Sequence, residues 1–254
     1  MKCYDFVFAN EKLSDYGFMI CSFSSNLDDV WSGGELSFTT QKSPDSDKQT
    51  YYSSSYDEPL SATFQICKSP CTLSHFNPSI ISREEYSALS RWLKRDDGYQ
   101  WLQFDSEGYE DVWFNVYFNI EPIQKGGENI GFTLKMTADS PYGYGENNIT
   151  DIVFEDKERE HAITNYSDKI GELYPTVVII PKEEGNITLY TGLENDLKVT
   201  EIANVKIGTN PVLRGEDDYY TNISNPNNFN YQFPIMANSY SDRTTYFKLS
   251  DDSA

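Results

Sequence analysis

Two histidines, four cysteines and forty carboxylates are the groups this chain offers for acid–base, nucleophilic or metal chemistry. His75 follows Cys71-Thr72-Leu73-Ser74. His161 closes Glu158-Arg159-Glu160-His161, an E-x-x-H spacing. A carboxylate-bridged metal site needs several such segments on long helices, and this one stands alone in a polar stretch. Both histidines therefore read as exposed or locally hydrogen-bonded. Cys67 and Cys71 have three residues between them, and Cys3 and Cys21 are not closely paired, so the spacing suits zinc poorly. Cysteines used as small hydrophobes on strands are the expectation. Asp45 with Asp47, and Glu216-Asp217-Asp218, are calcium-type oxygens, but neither run continues into a loop with further ligands. Forty acids place some pair within reach for glycoside hydrolysis, yet no spacing singles one out. No G-x-S-x-G, H-E-x-x-H, phosphate-loop or G-x-G-x-x-G pattern occurs. No catalytic residue, metal ligand or cofactor is nominated, and the chain is not expected to be an enzyme.

The elements carry more information than the titratable groups. Ser82-Arg83-Glu84-Glu85 has the form of a capping box, with Ser82 and Glu85 exchanging side-chain and amide bonds. Tyr86, Leu89, Trp92 and Leu93 then make one apolar stripe, predicting a helix over 82–95 that Asp96-Asp97-Gly98 stops. Aromatic and β-branched runs at 99–104, 112–120 and 130–136 predict strands after it. Strands are also expected at 4–9, 17–23, 36–40, 50–56 and 60–68. Between two of them lies Gln41-Lys42-Ser43-Pro44-Asp45-Ser46-Asp47-Lys48, polar and without an apolar anchor. That segment is expected to be the exposed tip of a long hairpin. A projecting ribbon cannot bury itself at home, so these eight residues are either the candidate contact with a neighbouring subunit or a mobile loop.

Tyr142-Gly143-Tyr144-Gly145-Glu146-Asn147-Asn148 is the expected boundary, giving domains 1–143 and 144–254. Beyond it, strands are expected at 148–154, 176–180, 186–191, 196–202, 205–207, 219–222, 229–233 and 244–249, with no helical period. Short strands separated by Gly/Asn/Pro turns have the texture of an antiparallel β-sandwich. The fold class is thus mainly β: an N-terminal β-sandwich with one helix, then a second sandwich.

The formal charge is −20, divided as −10 on each side of Gly143. A uniformly acidic surface repels phosphate backbones and anionic membranes, which disfavours ordinary nucleic-acid binding. Simple solubility is the ordinary reading of such a charge, and the exception for nucleic acid is a tube through which DNA slides without sticking. The first dozen residues lack an apolar core and alternate like a strand from Tyr4, so a signal peptide is not expected. No run approaches the roughly 18 apolar residues of a membrane helix. Folding in the cytosol is expected, without membrane insertion.

Several segments together carry a family resemblance. They are Phe8-Ala9-Asn10-Glu11-Lys12-Leu13-Ser14-Asp15-Tyr16-Gly17-Phe18, then Ile81 to Leu93, Tyr99 to Asp105, and Leu134 to Tyr144. In the second half Asn165-Tyr166-Ser167-Asp168, Tyr174 to Ile179, Gly185-Asn186-Ile187-Thr188 and Asn228 to Pro234 extend the match. The chain resembles the distal tail (Dit) proteins of long non-contractile-tailed bacteriophages and prophages over nearly its whole length. One departure is Ile235-Met236-Ala237-Asn238-Ser239-Tyr240, where the family leads one to expect more glycine.

The resemblance implies a tail-tube-like N-terminal domain that closes into a hexameric ring, and a galectin-like C-terminal domain that projects outward. It implies a baseplate hub in the virion tail tip. The partners would be copies of itself, the tail tube protein, the tail-tip (tail-associated) protein and, in some phages, receptor-binding proteins. The competing reading is a carbohydrate-binding β-sandwich acting in host surface recognition. Against it, all four tryptophans lie in the first half, so the galectin-like half lacks the usual stacking anchor.

Overall fold

A computed structural model describes residues 4–23, 30–32, 34–42, 47–56, 58–72, 79–155, 160–215, 219–239 and 241–250. It divides into two compact units, 1–148 and 149–254.

The first unit contains β1 (Asp5–Phe8), β2 (Glu11–Lys12), β3 (Phe18–Cys21), β4 (Val30–Ser32), β5 (Leu36–Lys42), β6 (Gln49–Tyr56), β7 (Ser61–Lys68), α1 (Arg83–Leu93), β8 (Gln100–Asp105), β9 (Phe114–Lys125) and β10 (Glu128–Ala138). One antiparallel sheet runs β2-β1-β8-β9-β10-β7-β3, with β4 also on β7. Phe6 on β1 and Phe64 on β7 stand four strands apart in that order, about 19 Å in a flat sheet. Their ring centroids are nevertheless 5.8 Å apart. The sheet is therefore rolled over on itself, and the Ile20 amide donates to the Tyr4 carbonyl at 2.9 Å where its ends meet. The apolar set inside the roll includes Phe8, Leu102, Phe104, Phe118, Phe132 and Leu134, all buried.

The capping box holds: Glu85 N donates to the Ser82 hydroxyl at 3.1 Å and Ser82 N to Glu85 Oε2 at 2.7 Å. Leu89, Trp92 and Leu93 are buried, and Tyr86 stacks on Phe132. Trp92 stacks on Phe6 and donates its indole N–H to the Phe8 carbonyl at 3.1 Å, pinning α1 to β1. The helix ends at Leu93, two residues before the sequence expectation, because Lys94 already has ψ 89.

Strand β9 runs five residues past its expected end, through Pro122. Proline is tolerated because β8 pairs only with 114–116, leaving the rest of that edge free of ladder bonds. Gly126 and Gly127, at φ 65 and 86, make the two-residue turn into β10.

The second unit has β11 (Glu160–Thr164), β12 (Gly171–Leu173), β13 (Val177–Val178), β14 (Gly185–Leu193), β15 (Asp196–Val205), β16 (Val212–Arg214), β17 (Tyr220–Thr221), β18 (Met236–Asn238) and β19 (Thr244–Leu249). They form sheets β11-β19-β14-β15, β12-β18 and β13-β16-β17, all antiparallel. Ile187, Ile202, Val205, Leu213, Phe229 and Phe233 form a core.

Three expected strands are not found there. Residues 148–154 have no partner strand, and Ile149 is 93% exposed. At 229–233 only Phe229 bridges, to Ile202, because Tyr231 sits at φ 57 and breaks the extension. At 205–207 only Val205 belongs to a strand, and Thr209 turns the chain by hydrogen-bonding to both backbone groups of Lys206. The overlooked strands β11, β12, β16 and β18 are at most five residues long, too short for a period to show.

Candidate assembly surface

The least accommodated apolar surface lies on the β5–β6 ribbon. Its register runs from Leu36 opposite Tyr56 to Lys42 opposite Gln49, with a bulge between Thr39 and Thr40. Among the described residues it pairs with no other strand. Leu36, Phe38, Tyr51, Tyr52 and Tyr56 are each exposed by between 42% and 60%. An isolated two-stranded ribbon is marginal in water, so local contacts hold this one together. Phe38 and Tyr51 meet edge to face at 5.8 Å. Tyr52 donates to the Gln41 side chain at 3.0 Å and Thr40 to that of Gln49 at 2.9 Å. At the base, Tyr56 packs on Tyr142 at 5.3 Å and Gly34 N donates to the Glu58 carbonyl.

The candidate contact residues sit at the far end. Gln41 and Lys42 close β5, and Asp47 and Lys48 lead into β6. Ser43, Pro44, Asp45 and Ser46 lie outside the described residues. Lys42 and Asp47 face each other at 3.9 Å, both exposed, an ion pair too solvated to fix the tip. The exposed aromatics lie on the ribbon stem and not at its polar tip. Their signal in the sequence was Phe38, Tyr51, Tyr52 and Tyr56 flanking the turn.

A second exposed aromatic group lies on the outer face of the rolled sheet. The strands at 99–105 and 114–125 divide their aromatics by alternation: Phe104, Phe114 and Phe118 are buried, while Tyr99, Trp101 and Tyr117 face outward. Trp101 meets Tyr144 edge to face at 5.3 Å, and Tyr99 meets Tyr117 at 5.6 Å. Tyr144 is fixed by paired 2.7 Å backbone bonds with Trp113 and donates its hydroxyl to Asp139, which also accepts from Asn115.

The remaining candidates disperse. His161 Nε2 lies 3.0 Å from the Val153 carbonyl, and its ring meets Phe154 at 5.1 Å, which is the local bonding expected of it. His75 and residues 216–218 lie outside the described residues. Among the described residues no three or more of His, Cys, Asp and Glu gather as metal ligands. Glu172 accepts from Lys198 at 2.5 Å and Tyr174 at 3.0 Å. The bond from Lys198, joined by that from Tyr174, holds its carboxyl below the usual range against burial, and the same contact raises Lys198. Asp196 adds a weaker pull that also raises Lys198. The sequence does not signal one juxtaposition: register brings Cys21 of β3 and Cys67 of β7 to the same half-buried face.

A rolled antiparallel unit with one helix, a second β unit and an unpacked aromatic ribbon define a two-unit, mainly β protein. The chain belongs to a family of phage tail proteins: residues 1–140 match its phage tail protein N-terminal domain, and residues 142–254 its phage tail C-terminal domain. Among solved structures it is similar to the SPP1 Dit protein, described as a paradigm of the hub adsorption apparatus in phages infecting Gram-positive bacteria. The TM-score is 0.67 at 12% identity, covering 98% of this chain and 95% of that one. At that identity the likeness speaks for the fold. No curated protein matches in sequence.

Proposed function

We propose that this protein is the hub subunit of a long phage tail, six copies closing into a ring that joins the tail tube to the tail-tip adsorption apparatus. The observation that carries this reading is the β5–β6 ribbon, a hairpin whose Leu36, Phe38, Tyr51, Tyr52 and Tyr56 stay between 42% and 60% exposed in their own unit. Each ribbon lies on the next subunit, so the contact is heterologous and closes by rotation. The outward Trp101–Tyr144 and Tyr99–Tyr117 group supplies more of the same interface. An obligate contact of this kind buries beyond about 2,000 Å².

Residues 1–143 are read as the ring-forming domain and 144–254 as the galectin-like outer domain, to which adhesins or tail-tip protein attach. The net charge of −20 suits a channel that passes DNA without retaining it. The role is structural, in the virion tail tip, after assembly in the host cytoplasm. Negative-stain electron microscopy of the purified chain, alone and with its tail neighbours, tests the reading. Annular particles of six subunits are expected. Particles that stay monomeric in both conditions, or turnover of a cell-wall substrate, overturn it.

A further inference from the structure

Strands β3 and β7 place three sulfur side chains on one outward face. Met19 stands opposite Cys67, and Cys21 stands two residues along, opposite Gln65. Phe18 and Ile20 take the buried side of β3, leaving Met19 and Cys21 on the half-buried side, where Cys67 also lies. Directly opposed side chains start from Cβ atoms about 4.5–5.5 Å apart, and diagonal Cα positions lie about 7–8 Å apart. The Cys21 and Cys67 side chains lie across that diagonal on the same half-buried face. Both are free thiols. Such a diagonal exceeds the roughly 4.4–6.8 Å between Cα atoms that a relaxed disulfide spans. The register thus holds two thiols on one face while disfavouring their closure into S–S.

We propose that Met19, Cys21 and Cys67 form a binding site for a soft monovalent d¹⁰ ion, copper(I) in chemical class. Two thiols and a thioether are the donor set that selects Cu(I). Zinc takes four ligands, and no carboxylate or imidazole joins this pair among the described residues. Gln65, the remaining polar neighbour, has its side-chain oxygen engaged by the Phe23 amide at 2.9 Å. The Phe23 ring lies over Gly131, where a Cβ would strike it, and so roofs this part of the sheet beside Cys67.

Loading moves protons and no electrons. Cu⁺ enters, both thiols leave as thiolates, and two protons go to solvent, so the loaded trio carries one net negative charge.

The test is anaerobic titration of the reduced full-length protein with Cu(I) in competition with a chromophoric chelator. One equivalent is expected, with a near-ultraviolet thiolate-to-copper band. Cys21→Ser and Cys67→Ser should each weaken binding about 100-fold or more and Met19→Leu about 10-fold, while Cys3→Ser/Cys71→Ser leaves it unchanged. Absence of binding, or binding that persists in Cys21→Ser/Cys67→Ser, overturns the site. Alkylation footprinting of the wild type settles the matter where a serine variant does not fold. Iodoacetamide should label Cys21 and Cys67 in the empty protein and spare both in the loaded one, with Cys71 labelled in each. Equal labelling, or a Cys21–Cys67 disulfide as the resting form, overturns it.

Discussion

Lys68 Nζ lies 2.8 Å from Glu85 Oε1, tying the end of β7 to the first turn of α1. The lysine is almost fully buried and also donates to the Ile80 carbonyl at 2.9 Å. Glu85 completes the Ser82 capping box with its other oxygen. One carboxylate therefore caps the helix and neutralises a buried cation. Removing it leaves Lys68 charged in a low-dielectric position, and breaking such a pair costs about 3–5 kcal/mol when fully buried. Glu85 is one-third exposed, so Glu85→Gln should lose about 2 kcal/mol, read as a shift in chemical-denaturation midpoint without a change in slope. Lys68→Met should lose less than Glu85→Gln, because it removes the buried charge and leaves Glu85 one-third exposed and still bonded to the Ser82 amide.

The same pair sets a pH dependence. Burial favours the neutral acid at Glu85, but the hydrogen bonds from Lys68 and the Ser82 amide outweigh it, and the carboxyl is held below its ordinary range. A depressed folded-state pKa contributes stability that is present above the unfolded value, about 4.3. That contribution is lost as pH falls through the folded value. Wild type and Glu85→Gln should therefore differ in melting temperature at neutral pH and converge in acid below about pH 4. A gap that stays constant down to acid would place the effect in packing.

Trp92 should be the costliest single side chain in α1. It stacks on Phe6 at 5.8 Å and on Tyr16 at 4.5 Å, besides its bond to the Phe8 carbonyl. Trp92→Ala should cost about 3–5 kcal/mol. Trp92→Phe keeps most of the stacking and orphans the carbonyl, so about 1–3 kcal/mol is expected from thermal or denaturant unfolding.

Legibility in the sequence followed length and period. The helix was readable from Ser82, Glu85 and the Leu89–Trp92–Leu93 stripe because capping and periodicity agreed. Strands at 61–68 and 114–120 were readable because their alternating apolar positions are the core side of one sheet. Rolling was not, since it depends on Phe6 reaching Phe64 across four strands. The Cys21–Cys67 juxtaposition was invisible for the same reason: strand register joins residues 46 positions apart, and the closer Cys67–Cys71 spacing drew attention instead. In the second unit, strands of two or three residues are set by tertiary pairing, which local pattern does not encode.

His161 provides a control on the reading that no acid–base site is used. Its ring touches only the Val153 carbonyl and Phe154 among the bonds described for it. His161→Ala and His75→Ala should both leave tail assembly intact in a complementation assay. Loss of infectivity with normal particle morphology in either would mean that an imidazole has a chemical role.

The ribbon separates assembly from stability. Phe38, Tyr51 and Tyr52 are more than half exposed, and their contacts described above stay within the ribbon, so Phe38→Ser/Tyr52→Ser should loosen the ribbon while changing the global unfolding free energy by no more than about 0.5 kcal/mol per site. If ribbons lie on neighbouring subunits, the same double variant should shift sedimentation from ring to monomer, and deletion of 41–48 should do so more weakly. Salt should work in the opposite direction. Subunits each carrying −20 repel one another, and the Debye length shortens from about 30 Å at 0.01 M to about 8 Å at 0.15 M, so ring formation should strengthen as salt rises. A double variant that melts early yet still forms rings would make the ribbon a fold element and move the contact elsewhere. Rings that dissociate with added salt would show that ion pairs, and not aromatic burial, hold the subunits together.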